Sequence, residues 1–123
     1  MSYTVRRDGG SGGGRLSIDE ILEILGDHQR RAVVRFLRDA RGRTHSIDDV
    51  ISHLRDHERR ESGESPDRDR LLSLLVHVHG PKLEQAGLVD YDVRSSEIRY
   101  YPNERVEQLL EQIGAVAGEF DSP

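Results

Sequence analysis

The stretch His79-Gly80-Pro81-Lys82-Leu83-Glu84-Gln85-Ala86-Gly87-Leu88-Val89-Asp90-Tyr91-Asp92 decides how this chain folds. Leu83 is placed to pack a helix end into a core, and Ala86 permits close approach. Gly87 turns the chain through a left-handed conformation, and the apolar pair Leu88-Val89 restarts it as a strand. Downstream, residues 88–92 and 97–101 are short β-prone runs joined by Val93-Arg94-Ser95-Ser96, which reads as a hairpin with a polar tip. Upstream, Leu71, Leu72, Leu74, Leu75, Val76 and Val78 make a wide apolar helical face that leaves Arg70, Ser73 and His77 outward. Gly80-Pro81 interrupts this pattern, which predicts a kink or a break before residues 82–86 complete the helix.

Further toward the N-terminus three more helices are legible. Ser17 followed by Glu20 has the form of a capping box, and Ile18, Ile21, Leu22 and Leu25 then fall on one face up to Gly26. Asp27 is suited to cap a second helix in which Val33, Val34, Phe36 and Leu37 alternate with Arg30, Arg31, Arg35 and Arg38. That helix is expected to be core on one side and cationic on the other, and Arg41-Gly42 stops it. After a turn over residues 43–45, Ser46 with Asp49 predicts a third helix to about His57, carrying Ile47, Val50, Ile51 and Leu54. Residues 58–66 hold no apolar side chain and read as a solvated loop. Beyond the hairpin Pro102-Asn103 ends the strand, and Val106, Leu109, Leu110, Ile113, Val116 and Phe120 form a last helical stripe.

Composition narrows the function classes. The chain has 123 residues, enough for one ordinary domain, with no Cys and no Trp. Disulfides, thiolate metal sites and thiol nucleophiles are therefore excluded. No apolar run approaches a membrane span and the first residues lack a secretory signal pattern, so a cytoplasmic protein is expected. Charged residues make up 33% of the chain, yet Lys82 is its one lysine and the net charge is -5. Abundant carboxylates with almost no lysine suit solubility in concentrated salt, although a codon bias toward arginine produces the same balance. A general nucleic-acid coat is disfavoured, and any DNA contact must come from a local basic patch.

Three helices, a longer helix, a hairpin and a last helix make a mainly α chain with a small β-hairpin, the order of a winged helix-turn-helix. The stretch quoted first resembles the H-x-P-K-L-x-x-A-G-h-V-x-Y-D signature of small haloarchaeal winged-helix proteins, many known only as a domain of unknown function. Asp19-Glu20-Ile21-Leu22-Glu23-Ile24-Leu25-Gly26-Asp27-His28-Gln29-Arg30-Arg31 resembles their D-E-h-h-x-h-L-x-x-x-R-R-R start. Gly80 departs from the bulky apolar residue usual there. The expected organisation is a disordered Gly/Ser tail over residues 1–14, the winged domain over 15–102 and a dimerisation or packing helix over 103–120.

Such a fold reads double-stranded DNA through its fourth helix in the major groove, with the wing on phosphates or the minor groove. The candidate contacts are Arg68, Arg70, Ser73 and His77 on the helix and Arg94, Ser95, Ser96 and Arg99 on the wing. Asp67 and Asp69 oppose phosphate and leave open a second role, a winged module that binds protein without DNA. The terminal stripe is expected either to fold back on the first helix or, preferentially, to pair with its twin in a homodimer. His53 with His57, and His77 with His79, lack a third convergent ligand, so no metal or other cofactor is expected. No Ser/His/Asp arrangement and no glycine-rich loop after a strand is present, which argues against an enzyme.

Overall fold

The computed structural model describes residues 16–117; the expected tail over residues 1–14 and Phe120 lie outside the described residues. Helix α1 (Ile18–Leu25) starts at the capping box, with the Ser17 N–H donating to Glu20 at 2.7 Å and the Glu20 N–H to the Ser17 hydroxyl at 3.0 Å. Ile21, Ile24 and Leu25 are its buried face, whereas Ile18 and Leu22, expected on that face, stay exposed. Helix α2 (His28–Asp39) is capped by the Asp27 carboxylate, which accepts from the N–H groups of Gln29 and Arg30.

The cationic side expected of α2 is not simply solvated. Arg30 is buried, and its guanidinium donates to the main-chain oxygens of Ile24 at 2.9 Å and Glu23 at 3.1 Å; Arg31 donates to Leu25 at 2.8 Å. The last carbonyls of a helix have no partner within it, and a cation there also opposes the negative end of the helix dipole. Arg30 and Arg31 thus close the C-terminus of α1 and fix the α1–α2 corner.

A short strand β1 (Thr44–Ser46) follows, where a turn was expected, and leads into α3 (Ile47–Ser62). The Ser46 hydroxyl caps α3 by accepting from the Asp49 N–H at 3.0 Å. Helix α3 runs past the expected end at His57 and absorbs residues 58–62. It stops at Gly63, whose φ of 80° and N–H bond to the Arg59 oxygen close the last turn. The residues there are good helix formers on a solvated face, so the absence of apolar side chains marked exposure and not loop.

Helix α4 (Arg68–Leu74), a π-helical turn over Leu75–His79 and α5 (Gly80–Gln85) form one continuous helical path. The expected break at Gly80-Pro81 is replaced by this wider turn, in which the Gly80 N–H bonds to the Leu75 oxygen five residues back. In that register the oxygen facing Pro81 belongs to Val76, and Pro81 has no N–H to give. The Tyr91 hydroxyl donates to it instead, at 2.8 Å. Gly80 leaves the room this needs, since a Cβ there would lie 2.6 Å from the Leu75 oxygen and 2.9 Å from Tyr91 Cε1.

Gly87, with φ of 79°, ends α5, and the Leu88 N–H reaches back to the Leu83 oxygen at 3.0 Å. Strands β2 (Val89–Asp92) and β3 (Glu97–Tyr100) form the wing, and β1 pairs with the other side of β3, giving an antiparallel sheet in the order β1-β3-β2. Ile98 faces His45 on one side and Tyr91 on the other. The chain is therefore mainly α with a small hairpin and a C-terminal helix, the winged-helix class expected, with a third strand added.

Helix α6 (Glu104–Ala117) is capped by Asn103, which accepts from the Val106 N–H at 3.1 Å. Val106 and Leu110 are completely buried in the core of the single chain, with Leu109 and Ile113 packed against it. Arg38 bonds Glu111 at 2.8 Å, Tyr100 bonds Glu107 at 2.5 Å and Arg105 reaches the Leu16 oxygen at 2.7 Å. The expectation that this whole stripe serves dimerisation is corrected. Val106 and Leu110 complete the monomer, and of the described positions in the stripe Val116, 87% exposed, is the one that stays clear of it.

Candidate nucleic-acid interface

Within the winged unit α3 and α4 are the two helices of the helix-turn-helix, joined over residues 63–67, and α4 with the π turn precedes the wing. Leu71, Leu75, His79 and Leu83 point into the core, which fixes what remains outside. Arg70, Ser73 and His77, predicted outward, are all exposed. Arg70 forms no ion pair among the described residues, so its guanidinium is available to an anion.

Arg68 is placed differently. It is half-buried and its guanidinium is bound to the Asp48 carboxylate in the first turn of α3. This pair ties the two helices of the motif together, and Arg68 has to exchange partners before it can hold a phosphate or a base. Asp69 is exposed beside Arg70.

The exposed face also holds two apolar residues that periodicity assigned to the core. Leu72 is 40% and Val78 38% exposed. The π turn inserts one extra residue into the helical path. Residues beyond it therefore occupy other angular positions than an uninterrupted α-helical wheel assigns, and no sequence signal for this existed beyond Gly80-Pro81 itself. Apolar side chains at such positions can meet thymine methyl groups in a major groove.

The wing tip is built by Asp92, whose carboxylate accepts the N–H groups of Arg94 at 2.9 Å and Ser95 at 3.4 Å. Ser96 adopts a φ of 58°, a left-handed conformation unusual for a residue with a side chain, and its carbonyl accepts the N–H of Ile47 at 2.9 Å. The tip is thus tied to the start of α3. Arg94, Ser95 and Ser96 are exposed, as is Arg99, whose guanidinium lies 5.6 Å from the centre of the Tyr101 ring while the Tyr101 hydroxyl bonds Asp90 at 2.7 Å. Ser96 serves through its backbone in holding the tip, whereas Arg94 and Arg99 present charge.

Behind the recognition helix lies a polar network that the sequence did not reveal. His79 is almost fully buried. It accepts at Nδ1 from Arg30 at 3.3 Å and donates from Nε2 to Gln29 at 3.0 Å, and Gln29 in turn donates to Glu58 at 2.9 Å. Arg30 has no proton acceptor to offer, so this arrangement requires the neutral ring with its proton on Nε2. Burial holds the His79 pKa below the usual histidine value; the Asp27 carboxylate opposes this and the Arg30 charge adds to it. Burial also lowers His53 and His57. The network locks the back of the helix whose front carries Arg70, Ser73 and His77.

No curated protein and no solved structure matches the chain. A family model described as domain of unknown function DUF7344 matches residues 22–99, from within α1 to the last wing strand, and the chain belongs to that family.

Proposed function

We propose that this protein is a DNA-binding transcriptional regulator that acts in the cytoplasm, as a homodimer, on double-stranded DNA. The α4 helix enters the major groove and the wing meets the backbone or the minor groove. The observation that carries this reading is the exposed set Arg70, Ser73 and His77 on the second helix of the helix-turn-helix, with Arg94 and Arg99 presented by the adjoining wing. With a net charge of -5 the chain is not attracted to DNA as a whole, so binding depends on these few cations. The resemblance to haloarchaeal proteins extends the proposal to a high-salt setting, where counterion release weakens and shape and apolar contact carry more of the affinity.

The proposed dimer uses the face shared by α1 and α6. Ile18 and Leu22 are exposed there, and a groove of about 520 Å³ is lined by Ile18, Ile21, Arg105, Gln108 and Leu109 among others. No helix among the described residues is long and apolar enough to cross a membrane, so an exposed apolar face has a protein surface as its natural cover.

Leu72 and Val78 beside Asp69 favour a second reading, a winged module that docks protein through the same helix. An electrophoretic shift in potassium chloride with duplex from the region upstream of the gene separates the two. Preference for that duplex over random sequence supports the first reading, and equal or absent binding favours the second.

A further inference from the structure

Helices α2 and α3 bring together three side chains that the sequence holds far apart. His28 opens α2, and His57 and Glu58 lie in the second half of α3. His28 Nδ1 and His57 Nε2 are 3.2 Å apart, and His28 Nε2 lies 3.5 Å from the Glu58 carboxylate. One nitrogen from each ring and one oxygen of Glu58 all fall within 4.8 Å of one another. We propose that His28, His57 and Glu58 form a binding site for one first-row divalent transition metal ion of the zinc class, with water at the remaining position.

Distances come first in support. Two ligands on a tetrahedral zinc, each bound at about 2.0–2.1 Å, are separated by roughly 3.3 Å, close to the spacing of the two imidazole nitrogens. The carboxylate has further to come, and the His28 side chain, 48% exposed, is free to turn toward it. A donor set of two imidazoles and one carboxylate suits zinc, cobalt or nickel and is too nitrogen-rich for calcium or magnesium. It leaves an open position, and the exposed edge of His28 provides the way in.

Electrostatics and support point the same way. Glu58 is held by the Gln29 amide, which is itself fixed by His79, so the carboxylate has the outer hydrogen bond typical of a ligand. Glu58 and Glu61 set negative charge against Arg60 around His57. Burial and the neighbouring His28 keep His57 neutral at ordinary pH, with a lone pair to donate. A bound ion would take the place of the proton that the two rings share and would clamp the start of α2 to α3, next to the network behind the recognition helix. This site is independent of the DNA-binding reading.

The test is a titration of the full chain, carrying no histidine tag, with zinc by calorimetry and with cobalt by its visible ligand-field absorption. Saturation at one equivalent is expected. His28→Ala and His57→Ala should each weaken binding at least tenfold, and His45→Ala, on β1, should leave it unchanged. At a hundredfold excess over Kd the melting temperature should rise by on the order of 10 °C. Because the His28 ring is half exposed, His28→Ala is expected to fold as the parent does, and circular dichroism checks this. No saturable binding at one equivalent, or His28→Ala binding as tightly as the parent, overturns the proposal and leaves a hydrogen-bonded histidine pair.

Discussion

The Tyr91 hydroxyl donates to the Val76 main-chain oxygen at 2.8 Å, and so the first wing strand supplies the helix with the hydrogen bond that Pro81 cannot give. Gly80 makes the approach possible, because any Cβ there would meet both the Leu75 oxygen and the Tyr91 ring. His79-Gly80-Pro81 and Tyr91 are therefore one device, which keeps the long helix continuous and holds the wing against it. Removing the hydroxyl with Tyr91→Phe should cost about 1–2 kcal/mol, the loss of a partner for a half-buried carbonyl. Gly80→Ala should cost more, about 1–3 kcal/mol, because it must displace backbone as well as a ring. Urea denaturation of the two variants against the parent checks the order.

Acid should loosen the molecule before it protonates most carboxylates. His53, His57 and His79 all have folded-state pKa values below the ordinary 6.5. As pH falls through that value the unfolded chain takes up protons that the folded chain refuses, so stability drops; it rises again with pH. The loss runs from about 6.5 down to the folded-state values and then levels off. Urea midpoints at several pH values should show this slope, and His79→Gln, which keeps polar contacts but cannot titrate, should flatten it.

Arg68 and Arg70 should differ, although the sequence offers them as equals. Arg68 is bound to Asp48 and Arg70 has no ion-pair partner among the described residues. On the DNA-binding reading, Arg70→Ala should lower affinity by about 1–3 kcal/mol if it holds a base, or reduce the salt slope by about one if it holds phosphate. Arg68→Ala should do less. Asp48→Asn should raise affinity a few-fold by releasing Arg68 and removing a carboxylate, which anisotropy titrations would detect.

The two halves of the α6 stripe should respond differently to substitution. Leu110→Ala, in the core, should cost about 2–5 kcal/mol of stability. Ile18→Asp combined with Val116→Asp, both at exposed positions, should leave circular dichroism unchanged while shifting the mass measured by light scattering from dimer to monomer. A parent that is monomeric at high concentration would remove the dimer from the account.

Much of this fold is legible in local chemistry. The caps at Ser17, Asp27, Ser46 and Asn103 and the turn at Gly87 each depend on a side chain and its near neighbours, and each stands where its spacing places it. What was not legible depends on distant partners. Strand β1 is three residues long and exists because β3 pairs with it. Arg30 and His79 lie on core faces that polarity alone assigns to solvent, and their burial is compensated by each other and by the carbonyls of α1. The meeting of His28 with His57 and Glu58 needs the packing of α2 on α3, which no local motif encodes. The exposed arginines of α4 and the wing were visible in advance, but not that Asp48 holds one of them.

Fluorescence anisotropy with duplex from the region upstream of the gene, against random duplex in potassium chloride, tests the central claim most directly. The account predicts a preference of about a thousandfold or more, in the range of specific over non-specific binding. It also predicts that Arg70→Ala combined with Arg94→Ala removes most of that preference while circular dichroism stays unchanged. Equal binding to both duplexes, or a double variant that binds as the parent does, would contradict it.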